Sequence, residues 1–116
     1  NSVKEMYKVL SNNGLLGLVS DQDAKSKGVF VDFFGTPAST PKGAALFHIN
    51  TGSPLLLGVC FKENFKKYHI HFRAINTKNK SLEEITQEYT SQLEFYIKQY
   101  PDQYFWFHRR WKTKKT

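Results

Sequence analysis

The segment SLEEITQEYTSQLEFYIKQY, residues 81–100, constrains the fold of this chain more than any other. Ser81 and Glu84 stand at the spacing of a capping box. Leu82, Ile85, Tyr89, Leu93, Tyr96 and Tyr100 then recur every three or four residues, and Pro101 stops the run. This predicts one amphipathic helix of about five turns. Such a stripe needs an apolar platform, and the rest of the chain offers short runs that read as strands. These are LLGLVS (15–20), GVFVDFFG (28–35) and SPLLLGVCF (53–61), the third expected to be buried. KENFKK turns the chain, and YHIHFRAI (68–75) alternates as an antiparallel partner strand. Two shorter helices complete the pattern. In residues 2–14, Ser2 and Glu5 form a capping box, Val3, Met6, Tyr7 and Leu10 share a face, and Gly14 supplies the left-handed terminator. The other begins with Thr40 as N-cap and Pro41 in the first helical position, and Gly52 ends it. Its small residues Gly43, Ala44 and Ala45 let it approach a sheet or a ligand closely. The expected order is α-β-β-α-β-β-α-tail. At 116 residues that is one α/β domain, or a piece of one, with a mixed sheet flanked by helices.

The net charge is +7, and the excess is concentrated. Residues 62–80 hold six cations against one acid, and residues 98–116 do the same. A basic hairpin and a basic tail suit an anionic partner. In the tail, Tyr104, Phe105, Trp106, Phe107 and Trp111 are interleaved with Arg109, Arg110, Lys112, Lys114 and Lys115. The aromatics are expected to divide between core and interface, with Phe107 and Trp111 sharing one helical face. The cations, with Trp111, are expected to meet anionic headgroups. Cys60 is alone within LLLGVCF and reads as a buried, inert thiol. No signal peptide is evident, and the longest apolar run, 55–61, is too short to span a bilayer.

Few residues point to metal or nucleophile chemistry. His69 and His71 share one face of a strand, but no third ligand accompanies them. His48 reads as a satisfied, half-buried histidine. There is no Ser-His-Asp order, phosphate-binding loop or dinucleotide fingerprint, so no cofactor or metal is expected. Two polar stretches stand out. DQDAKSKG (21–28) follows the first apolar run, where open α/β sheets place their sites. Its Asp21 and Asp23 are a weak metal pair; Asp21 also suits an arginine or a polar substrate group. FFGTPASTPKG (33–43) combines glycines, hydroxyls and a helix start that attracts anions.

Taken in order, GLVSDQD, KGVFVDFFGTPASTPKGAALFHINTGSPLLLG and YPDQYFWFHRRWKT resemble the carboxyl-terminal half of the bacterial lipid A lauroyl/myristoyl acyltransferases, within the lysophospholipid acyltransferase superfamily. The resemblance runs to near Lys112. It implies part of a glycerolipid acyltransferase-like fold. It also implies a membrane-associated enzyme that moves an acyl chain from acyl carrier protein, or acyl-CoA, onto a hydroxyl of a lipid A precursor. A related acceptor such as a phosphatidylinositol mannoside fits equally. By resemblance, Asp21 and Gln22 lie at the active-site rim, and the loop from Gly35 to Gly43, including Thr40, shapes the acyl or phosphosugar pocket. Asp21 is expected to meet an arginine upstream of this chain.

The family uses a histidine base and an acid in an H-x-x-x-x-D/E motif. Here the residues five positions after His48, His69, His71 and His108 are Ser53, Ala74, Asn76 and Thr113. The catalytic motif and membrane anchor are therefore expected before Asn1, and this chain alone is expected to be inactive. The competing readings are a basic nucleic-acid-binding module, which lacks any recognised binding signature, and a non-enzymatic α/β interaction domain. The resemblance favours lipid and carrier-protein partners and no nucleic acid.

Overall fold

The structure is a computed structural model that describes residues 2–20, 22–104 and 109–115. In chain order it has α1 (Ser2–Ser11), β1 (Val29–Phe33), β2 (Thr36–Thr40), α2 (Gly43–Thr51), β3 (Leu56–Asn64), β4 (Lys67–Ala74) and α3 (Leu82–Gln99). Short 3₁₀ turns occupy Lys25–Lys27 and Pro101–Gln103. The α/β class is as the sequence predicts; the α-β-β-α-β-β-α order recurs, but with a different first strand pair. The strands pair as two antiparallel two-stranded sheets, β1 with β2 and β3 with β4.

The first strand pair sits one place later than expected. Residues 15–20 form no strand, and Leu15 and Val19 are 92% and 82% exposed. The expected loop TPAST is instead β2. Phe34 and Gly35 both take positive φ, 53° and 80°. A two-residue turn of that hand matches the twist of antiparallel strands, so the chain doubles back at once. Thr40 consequently ends a strand and is fully buried, and Lys42 takes the N-cap position of α2 without a side-chain cap. Gly52 ends α2 in the left-handed conformation as expected, donating its N–H to His48 O at 2.8 Å. At the end of α1 the left-handed residue is Asn13 (φ 60°), not Gly14.

The long helix α3 ties the halves together. Ile85 and Tyr89 pack with Ala45 and Ile75 in one core cluster. Ile97 packs with Phe33 and Ala38 in another, flanked by Tyr104 and Trp111. The Ser81–Glu84 capping box forms in both directions. Tyr89 OH donates to Pro41 O at 2.7 Å, fixing the approach to α2. Polar side chains from α3 also close the free edge of β1. Gln87 accepts from Asp32 N at 2.7 Å and donates to Asp32 O at 2.9 Å, while Glu94 accepts from Phe34 N at 2.7 Å. An edge strand otherwise presents unpaired backbone groups.

The β3–β4 ribbon is covered on one side only. Phe61 stacks on Tyr100 at 4.3 Å, and His69 and His71 pack around the same ring. The other face carries Leu56, Cys60, Ile70 and Phe72 outward. Cys60 is therefore exposed rather than buried. Strict alternation on a one-sided ribbon sends it away from the helix.

Candidate functional site

Three stretches, two of them neighbours in sequence and the third a distant tail, meet at the base of the β1–β2 hairpin. The first is the loop after residue 20. Ala24 N donates to Ser39 O at 3.1 Å, and Ser39 Oγ donates to Lys25 O at 2.6 Å. A Cβ on Gly28 would collide with Ser39 Oγ and lie 2.6 Å from Ala24 Cβ, so a side chain there would push the loop off the strand. The second stretch is the hairpin itself. The third is the tail. Arg110 donates from Nη1 to Ser39 O at 2.7 Å and from Nη2 to Thr40 Oγ1 at 2.6 Å. Its guanidinium lies 5.3 Å from the centre of the Phe33 ring. Trp111 stacks on Phe33 at 5.2 Å and donates Nε1–H to Phe33 O at 3.1 Å. Thr113 closes the circle, donating Oγ1–H to Asp23 Oδ2 at 2.8 Å across 90 positions of sequence.

Arg110 is 2% exposed, which corrects the expectation that it meets headgroups. A guanidinium can be buried when its planar fork finds acceptors and an aromatic face, and Ser39, Thr40 and Phe33 supply them. Trp111 is half-buried on the core by the same packing, so it too faces inward. Arg109 and Lys112 remain exposed. Phe105, Trp106, Phe107 and His108 lie outside the described residues, as does Asp21.

The substrate-side expectations divide. Thr40 belongs to the cluster, and Gln22 is exposed on the loop beside it. A Cβ on Gly43 would meet only Leu18, at 3.9 Å, so packing alone does not require glycine there. Gly35 is at the far end of the hairpin, about 17 Å from Thr40 at five strand residues. Asp23, which the sequence offered only as half of a weak metal pair, completes the cluster with Ser39 and Thr113, which it did not single out as site residues. Their only signal was membership of the quoted blocks, because the pairing across the chain has no local pattern.

A cavity of about 360 Å³ opens between β3 and α3. Its walls are mainly apolar, with Leu57, Val59, Leu93 and Ile97 among them, and Arg110 and Thr90 bring polar atoms to the lining. That volume falls within the range of small-molecule sites. His48 and His69 have partners of their own. His48 Nδ1 donates to Ser53 O at 2.6 Å, as a satisfied histidine should. His69 Nε2 lies 3.1 Å from Glu63 Oε2, which with Lys67 holds that carboxyl below its usual pKa. Burial raises the pKa of the Tyr89 phenol. No group of three His, Cys, Asp or Glu gathers among the described residues.

Over 54 residues the chain is 41% identical to phosphatidylinositol mannoside acyltransferase of Mycobacterium tuberculosis, in strains CDC 1551 / Oshkosh and ATCC 25618 / H37Rv. That stretch covers 47% of this chain but 17% of the length of these curated relatives. The family described as bacterial lipid A biosynthesis acyltransferase matches residues 1–113. With nearly every residue inside that match, the chain belongs to the bacterial lipid A biosynthesis acyltransferase family.

Proposed function

We propose that this chain is the carboxyl-terminal part of a single acyltransferase domain. The enzyme moves a fatty acyl group from acyl carrier protein or acyl-CoA to a hydroxyl of a lipid A precursor or a related glycolipid. The observation that supports this reading is the closure of three separated blocks around Arg110, in a chain matched by the family over residues 1–113. In such a transfer the acceptor oxygen attacks the thioester carbonyl and the C–S bond breaks. The hydroxyl proton passes through a general base to the departing thiolate. Oxygen nucleophiles are weak without that base. None of the four histidines is followed at the fifth position by Asp or Glu, so the base is assigned outside this chain. What this chain contributes is the frame. The apolar cavity would accept the alkyl chain. Asp21 and Gln22 are assigned to the active-site rim, and Thr40 and Gly43 to the acyl or phosphosugar pocket, by the family resemblance alone; Gln22, Thr40 and Gly43 do not line the cavity. The enzyme works at the cytoplasmic face of the bacterial inner membrane.

The test is label transfer by the intact protein. Acyl carrier protein and CoA donors are each paired with a lipid A precursor and with a phosphatidylinositol mannoside. An ester-linked acyl product is expected from at least one pair; a folded protein that acylates neither acceptor overturns the reading. Asp21→Ala in the intact protein is expected to lower turnover more than thermal stability, since a lost charge-assisted hydrogen bond costs roughly 1.5–3 kcal/mol. A variant that unfolds far earlier yet keeps its specific activity would make Asp21 structural.

A further inference from the structure

Asp23 joins the loop of residues 22–28 to the tail. Its Oδ2 accepts Lys25 N–H at 3.1 Å and the Thr113 hydroxyl at 2.8 Å, and Thr113 N–H reaches Oδ1 at 3.4 Å. Both partners belong to this chain, so the contact does not depend on what covers the chain elsewhere. The tail side is fixed, because Arg110 and Trp111, three and two residues earlier, are bound to the β1–β2 hairpin. The loop side is strained. Lys25 has φ 56°, a left-handed conformation that is costly for a residue with a Cβ. The Asp23 carboxylate holds its N–H there, and Ser39 Oγ holds its carbonyl at 2.6 Å. Strain of this kind persists only where the surroundings over-determine it, and it gathers where function needs a fixed geometry. Asp23 stands one residue after Gln22 and two after Asp21, the pair assigned by resemblance to the active-site rim.

We propose that Asp23 is a positioning residue for acyl transfer, and that Thr113 is the partner through which the tail holds it in place. A carboxylate suits the task because it is an acceptor at both oxygens, so it takes the strained amide and the tail hydroxyl together. Both oxygens accept bonds from this chain, so Asp23 acts through its neighbours Asp21 and Gln22 rather than on the acyl group. Rigid placement of groups at a site is worth large factors in rate, and small displacements forfeit them. The inference rests on the acyltransferase reading for its reaction. The anchor is scored without any acyl donor, so failure of the anchor is separable from failure of transfer.

The test compares the intact protein with its Thr113→Val, Thr113→Ser and Asp23→Asn variants. Valine keeps the branched shape and the backbone N–H but removes the hydroxyl, which serine restores. Amide hydrogen exchange is read by peptide mass spectrometry. A lost hydrogen bond to a charged group is worth about tenfold in an opening equilibrium, so Thr113→Val is expected to speed exchange in residues 22–28 by about that factor. Peptides from α3 are expected to keep the wild-type rate. In label transfer, kcat is expected to fall about tenfold with the donor KM within about threefold, since the lost contact orients rather than binds. Thr113→Ser is expected to restore both readouts. Asp23→Asn, whose amide accepts at one end only, is expected to reproduce the Thr113→Val effect. The proposal is overturned if Thr113→Val leaves exchange in residues 22–28 unchanged, or if serine fails to rescue. It is also overturned if exchange rises and the unfolding temperature drops while kcat stays at the wild-type value, which would make the contact a brace alone. An intact wild type that transfers no acyl group overturns the acyltransferase reading, and the positioning role with it. If Thr113→Val does not fold, Asp23→Asn is scored by the same readouts and decides in the same way.

Discussion

Arg110 is the residue on which the cluster turns. Its two donated bonds, to Ser39 O and Thr40 Oγ1, need the fork of a guanidinium. Lysine keeps the charge, but its compact ammonium lacks the planar fork that reaches Ser39 O and Thr40 Oγ1 together. Arg110→Lys in the intact protein is expected to destabilise by about 1–3 kcal/mol. Thermal unfolding checks this, and Thr40→Val in the same background should then cost less than it does alone. Gly28 is a second fixed point. Its φ of −92° suits any residue, so the demand is steric, imposed by Ser39 Oγ and Ala24 Cβ. Gly28→Ala is expected to cost about 1–3 kcal/mol, the usual range for overpacking, again by thermal unfolding. The burial of Arg110 was not legible in HRRWK. A cation among aromatics reads the same whether it faces headgroups or a carbonyl across the chain, and the deciding acceptors lie 70 positions away. A separation of 90 positions hid Thr113 in the same way.

The elements that declared themselves in sequence are those whose signals are local. Helix α3 has both caps and stripe within one segment, and it appears from Leu82 to Gln99 as the pattern predicts. The β3–β4 hairpin follows from alternation and its turn. Strand β2 was missed because its proline and hydroxyls read as loop; the turn at Phe34–Gly35 and the covering tail override that propensity. The capping box of α3 also carries a pH signature. The Ser81 backbone N–H, then its hydroxyl, hold the Glu84 carboxyl below the ordinary 4.5. A depressed carboxylate stabilises the fold above its unfolded pKa, and that contribution is lost as pH falls through the folded value. The unfolding temperature is therefore expected to drop on acidification below about pH 4.5, and Glu84→Gln to flatten part of that drop. Glu63 titrates in the same direction, so some slope remains in the variant. A slope identical to wild type would remove the capping box from the account.

At the scale of the whole molecule, two core clusters are strung along α3, a one-sided ribbon packs on the helix, and the tail clamp joins the cluster around Ile97. Family membership was legible because three blocks occur in order; their meeting in space required the structure. The central claim is that this chain supplies the frame of an acyl-transfer site and that the base lies elsewhere in the protein. One paired assay tests it most directly. The isolated chain of residues 1–116 and the intact protein receive the same labelled acyl donor and glycolipid acceptor, with circular dichroism verifying that each is folded. The account predicts ester-linked label on the acceptor with the intact protein, and none above a protein-free blank with the isolated chain. Robust turnover by the isolated chain would place the base among these residues and contradict it.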